Sequence, residues 1–175
     1  MIRKSISILA VALAPSVFAQ GVCPPIKGEN TEGTTVVLPA ASKGRFAIIA
    51  IAAGRKAEPV LEEWYEPAYL RFVAKQGLFA GSYDADLWLV PVFTGMNKAA
   101  FGPSVKRLKE QADPDVAARV VFVNNNADAL LDALGIADRD EPLFLVVDPS
   151  GRIIHREKGA FTVEKLDALE EAMDQ

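Results

Sequence analysis

The sequence predicts an α/β domain, a central mixed sheet with helices on both faces, closed by a C-terminal β-hairpin plus helix. Three observations carry this prediction. Continuous apolar runs at 46–52, 87–93 and 143–147 read as strands buried on both faces. Segments with apolar residues near a 3.6-residue period stand between the strand runs, which is the pattern of crossover helices. Lastly, Asp148-Pro149-Ser150-Gly151 joins two strand-like runs as a tight turn with Pro in second place, adding an antiparallel edge.

The N-terminal segment reads as an address. Arg3 and Lys4 precede an apolar run over 6–14, and Val17-Phe18-Ala19 supplies small residues on either side of Phe18. That order is a secretory signal peptide over 1–19, with cleavage expected after Ala19. The run is shorter than the ~20 residues that span a bilayer. Gln20-Gly21-Val22 before Cys23 does not match a lipid-attachment triplet. Removal of 1–19 takes Arg3 and Lys4 and no acid, leaving 17 bases against 23 acids and a formal charge of −6. The expectation is an acidic periplasmic protein of a bacterial envelope, with no stable membrane insertion after cleavage.

The remaining elements follow in order. Residues 20–33, with Pro24 and Pro25, are expected as an extended lead-in, ahead of a domain over 34–175. A β-branched run at 34–38 reads as an edge strand, and the buried strand 46–52 ends at Gly54. A helix is predicted over 61–75, with Pro59 in its first turn, a kink or break at Pro67 and a stop at Gly77. Its Trp64 and Tyr65 are expected in the core. Pro91 is a flaw in the strand 87–93. The helix 104–111 turns Val105 and Leu108 inward.

Strand 119–123 stops at Asn124-Asn125-Asn126, a run that can line a crevice at the strand's end. Asn126 is expected to cap a helix over 128–134, which Gly135 closes. After the hairpin strands 143–147 and 152–157, Thr162 caps a last helix with Val163, Leu166, Leu169 and Met173 inward. His155 is expected as an exposed edge side chain, and Cys23 as a mobile position in the lead-in.

Scarce residues exclude several chemistries. One Cys and one His among 175 residues rule out an internal disulfide, a CxxC pair and the usual zinc ligand sets. A formal charge of −4 leaves no broad basic surface for nucleic acid. No GxSxG occurs, so a serine nucleophile has no support. No metal and no cofactor is predicted.

From Phe46 onward the order of elements resembles the thioredoxin-like superfamily in its redoxin or TlpA-like version. Asn126-Ala127-Asp128 through Leu134-Gly135-Ile136 is similar to that family's short helix and turn. Glu141-Pro142-Leu143-Phe144-Leu145-Val146-Val147-Asp148, followed by Gly151-Arg152-Ile153, is similar to its proline-led strand and hairpin. The resemblance implies that the active-site cis-proline falls on Pro142. It also implies that a redox CxxC follows the first central strand, where a helix N-terminus activates the thiol. Here that stretch is Ala52-Ala53-Gly54-Arg55-Lys56-Ala57, without cysteine, so thiol–disulfide exchange is not expected there. Ile51-Ala52-Ala53-Gly54-Arg55 and Lys158-Gly159-Ala160-Phe161-Thr162 resemble the YtfJ-type family, small exported thioredoxin-like proteins lacking CxxC.

The resemblance implies a redox-inactive module that binds a protein or peptide partner of the envelope. Its predicted contact residues are Ala53, Gly54, Arg55, Lys56, Glu141 and Pro142, because such folds pair extended chains beside the proline without using sulfur. Two alternatives stand beside it. In the first, the chain is an enzyme or small-ligand binder that holds an anionic substrate or ligand at Gly54-Arg55-Lys56, a helix start that suits negative charge, although Glu58, Glu62 and Glu63 follow closely. Residual thiol chemistry, or a cross-link to another chain, falls to Cys23.

Overall fold

The computed structural model describes residues 21–75 and 84–174. The predicted signal peptide and the stop at Gly77 lie outside them.

The run FAIIAIA becomes β3 (Phe46–Ala52), an inner strand of the main sheet. It pairs in parallel with β4 (Ala85–Pro91) and antiparallel with β5 (Leu143–Val147), and β5 pairs antiparallel with β6 (Ile153–Lys158). The order is β4-β3-β5-β6. Alternation explains why β3 is apolar throughout. Ala47, Ile49 and Ile51 enter one core with Ile26, Leu131 and Leu145, while Ile48, Ala50 and Ala52 enter the other with Trp64, Phe144 and Leu166. The sheet is mixed because the helix before β5 returns the chain antiparallel to β3 rather than as a third parallel crossover.

The predicted strand 119–123 lies beside β4. Val121 N–H donates to Leu89 O at 2.9 Å and Val123 N–H to Pro91 O at 3.0 Å. On its other side, Phe122 and Glu29 exchange backbone hydrogen bonds of 2.8 and 2.9 Å. Those bonds attach β1 (Ile26–Glu29), which forms a hairpin with β2 (Thr35–Leu38). The lead-in thus contributes a strand to the domain. Pro91 is the last residue of β4, where its carbonyl still accepts and the next N–H, of Val92, reaches Ala52 O at 2.8 Å.

α1 (Ala57–Ala68) starts directly after the β3 turn and carries Pro67 in its last turn. Proline offers no N–H and crowds the carbonyl four residues back, so the ladder widens into a π turn over Tyr69–Val73, with Ala74 N–H reaching Tyr69 O at 2.9 Å. The predicted break is therefore a change of helical pitch, and the helix runs on.

A 3₁₀ turn over Gly95–Ala100 leads into α2 (Phe101–Gln111), which has no fully buried residue. A short α3 (Pro114–Ala117), not foreseen from the sequence, is capped by the Asp113 carboxylate accepting from Asp115 N–H at 2.8 Å.

Two terminal details depart from expectation. At α4 (Ala127–Ala133) the Asn126 side chain makes no capping bond; the residue instead takes a left-handed backbone, φ 52°, which asparagine tolerates. At α5 (Val163–Glu171) Thr162 Oγ1 does accept from Lys165 N–H, at 3.3 Å, but Val163 is exposed, and Leu166, Leu169 and Met173 hold the inner face without it.

Candidate functional site

The turn between β3 and α1 is held by a loop from the far end of the chain. Ala57 N–H donates to Gly54 O at 3.1 Å, closing the turn. A Cβ on Gly54 would lie 2.2 Å from the Arg139 carbonyl oxygen, so only glycine lets the 138–140 segment pass this closely. Arg139 donates to Thr94 Oγ1 at 2.7 Å and to Asp128 Oδ1 at 3.0 Å, anchoring that segment to the stretch that follows β4 and to α4. Lys56 Nζ lies 2.6 Å from Asp140 Oδ2. This hydrogen bond, reinforced by the carboxylate charge, holds the Lys56 pKa above its ordinary value. Lys56 is thus paired within the chain, whereas exposed Arg55 makes no ion pair among the described residues.

The register Ile51↔Leu143 brings the end of β3 beside Pro142, so the predicted site residues gather at one end of the sheet. They are not equally available. Ala53 and Pro142 are buried, while Arg55, Lys56 and Glu141 are exposed. Pro142 O already accepts from Gly159 N–H at 3.1 Å. Among the described residues the cis peptide is Leu38–Pro39, so Glu141–Pro142 is trans and the implied cis-proline at 142 is corrected.

Sequence reading missed the concavity next to the turn. Because α2 stands off the sheet, its apolar face is only half covered: Phe101, Val105 and Leu108 pack partly against Phe93, Val120 and Phe122. Two adjoining depressions remain between α1 and α2. One, of about 310 Å³, is lined by Gly54, Arg55, Asn97 and Arg107. The other, of about 370 Å³, is lined by Leu61, Tyr65, Leu108 and Phe122. They share Ala52, Glu58, Pro91, Phe93, Ser104 and Arg107. Arg107 Nη2 donates to Glu58 Oε1 at 3.1 Å across this shared stretch. Sparse apolar positions in 104–111 were the one available signal.

Tyr65 therefore borders a groove instead of lying wholly in the core, and burial pushes its hydroxyl pKa up to about 12. Trp64 is fully buried, its Nε1–H donating to Gly159 O at 2.9 Å, with its ring 4.2 Å from that of Phe144.

Cys23 is not mobile. Its N–H donates to Gly151 O at 2.8 Å, Ile153 N–H reaches Gly21 O at 3.0 Å, and the residue is buried. Desolvation pushes its thiol up to about 11, against a smaller opposite pull from Arg156. Such a thiol stays protonated at neutral pH and is a poor nucleophile. It also sits near the hairpin turn, with β5 running between it and the turn at Gly54.

His155 is half-buried, its Nε2 without a hydrogen-bond partner and 3.9 Å from Glu157 Oε2, so the exposed placement is corrected. Asn124, Asn125 and Asn126 line a polar crevice of about 250 Å³ with Lys27, Gly28 and Glu29.

No family model matches the chain, and no curated protein matches it. Solved structures do. The thioredoxin domain of a thiol-disulfide oxidoreductase from Bacteroides vulgatus aligns with TM-score 0.59 and 18% identity, over 90% of this chain and 99% of that one. A putative thiol:disulfide interchange protein DsbE from Chlorobium tepidum aligns with TM-score 0.56 and 16% identity, over 87% and 93%. BsSco, a member of the Sco family of cytochrome c oxidase assembly proteins, aligns with TM-score 0.59 and 11% identity, over 89% and 95%. No helix among the described residues is long and apolar enough to cross a membrane. The chain has the thioredoxin-like fold, and its single cysteine lies away from the turn between β3 and α1.

Proposed function

We propose that this chain is an exported, redox-inactive thioredoxin-fold module that binds a protein or peptide partner in the periplasm, after cleavage behind Ala19. The observation that carries the reading is the turn Ala53-Gly54-Arg55-Lys56, which has no thiol yet is locked in place by Arg139 and Asp140. A vestigial turn has no need of that anchoring. Arg55, Lys56 and Glu141 are the exposed contacts, and Ala53, Gly54 and Pro142 shape the backbone beneath them. Because Pro142 O is already engaged, the partner is met by side chains and the outer loop more than by strand pairing at the proline. Affinity capture from the native envelope, comparing the wild type with an Arg55→Ala/Lys56→Ala variant, tests this. Loss of one specific partner is expected; unchanged recovery refutes the site.

A second reading has its own observation. The depression of about 310 Å³ at the turn brings Arg55, Arg107, Asn97 and Ser104 toward one space, as a small anionic ligand requires. Arg55 is its main cation, since Lys56 is taken by Asp140. Titration of acetate into wild type and Arg55→Gln checks it, with binding expected only in the wild type.

A further inference from the structure

The two depressions between α1 and α2 form one slot, cationic at the turn and apolar at the far end. We propose that this slot binds a linear apolar monocarboxylate of the fatty-acid class, its carboxylate on Arg55 and Arg107 and its hydrocarbon over Phe93, Leu61 and Leu108. The inference rests on the second reading above, since both place an anion on Arg55.

Size comes first. Volumes of about 310 and 370 Å³ joined through shared walls match the ~300–1,000 Å³ of small-molecule sites. Apolar demand comes next. α2 turns Phe101, Val105 and Leu108 toward the sheet yet buries none of its residues fully. A hydrocarbon chain lying beneath it would remove that exposed apolar surface from water, which is the driving force for filling a slot of this kind.

Charge then orients the ligand. Arg55 is exposed and without an ion pair among the described residues. Arg107 gives Glu58 one N–H in an exposed pair, and such pairs are weak, so the rest of its guanidinium fork is open to a second acceptor. Glu62 stands on the wall of the apolar end, one turn beyond Glu58, and repels a carboxylate from there. The head group is thereby directed to the Arg55 end.

Calorimetric titration of the purified full chain with acetate, octanoate, decanoate and decanol tests the assignment. Affinity is expected to rise about two- to fourfold for each methylene added from octanoate to decanoate. Ser104→Trp, which fills the shared stretch from the loosely packed α2, is expected to abolish decanoate binding. Arg55→Gln/Arg107→Gln is expected to weaken decanoate about tenfold and leave decanol unchanged. Equal affinity along the series, or full binding by Ser104→Trp, overturns the proposal. Acetate binding lost in Arg55→Gln, with no gain along the series, overturns the fatty-acid assignment and keeps the anionic reading. A chain-length gain equal for decanoate and decanol, and indifferent to the double variant, overturns both.

Discussion

Gly54 and Arg139 meet so closely that a Cβ on the glycine would stand 2.2 Å from the arginine's carbonyl oxygen. The contact is backbone to backbone, so no side-chain rotation relieves it. Gly54→Ala is therefore expected to cost about 1–3 kcal/mol as an overpacked site. It also pushes the 138–140 segment off the turn and strains the 2.6 Å contact between Lys56 and Asp140. Urea unfolding checks the first effect through a lowered midpoint with an unchanged slope. Faster amide exchange at Asp140 checks the second. A neutral Gly54→Ala would mean that the loop does not lock the turn.

Cys23 gives a pH-dependent prediction. Burial raises its thiol from an ordinary value near 9.0 to about 11. The unfolded chain ionises first as pH rises, so the contribution is fully present below about pH 9 and is lost between pH 9 and 11. A difference of two pKa units corresponds to on the order of 3 kcal/mol. Stability measured from pH 8 to 11 should fall more steeply for the wild type than for Cys23→Ala. Tyr65 also titrates high, so Tyr65→Phe is the background in which the comparison is made. Thiol reagents should label the native protein slowly at pH 7; rapid labelling would return Cys23 to an accessible, reactive position.

Legibility in the sequence followed the range of the interactions. β3 and β5 were readable because burial on both faces forces an unbroken apolar run, and the hairpin turn because Pro149 and Gly151 carry local backbone demands. Cys23 was not readable: two prolines follow it locally, and its burial comes from pairing with Gly151, far along the chain. The same holds for the site. The missing thiol at Ala53–Lys56 is a fact of composition, but the partner of Lys56 is Asp140, and the groove exists because α2 stands away from β4. Pattern reports which face of a helix is apolar, and it does not report how closely that face is packed. Asn126 shows a third kind of loss, since its left-handed backbone and a side-chain cap both favour the same residue type.

Trp64 links the site end of the sheet to the loop between β6 and α5. Its indole N–H donates to Gly159 O at 2.9 Å while its ring packs against Phe144 and meets Phe161 edge to face. Trp64→Phe leaves that buried carbonyl without its donor and opens a partial cavity. The two effects together are expected to cost about 2–4 kcal/mol. Thermal unfolding measures it, and a loss under 1 kcal/mol, the low end for one hydrogen bond, would show that water replaces the indole.

The last prediction concerns motion at the groove. α2 buries no residue fully, carries Gly102 and Pro103 in its first turn, and is tied across the slot by the exposed pair Arg107–Glu58. α5, by contrast, buries Leu166 and Leu169 against the second core. Local opening follows buried apolar contact, so amides of Phe101–Gln111 should exchange well before those of Val163–Glu171 under native conditions. Arg107→Ala should quicken exchange in α2 without changing the global unfolding midpoint, because an exposed pair contributes at most about 1 kcal/mol. Hydrogen exchange read by mass spectrometry separates the two helices. Equal protection would mean that α2 opens only with the whole domain, and the groove would then be a rigid feature of the fold.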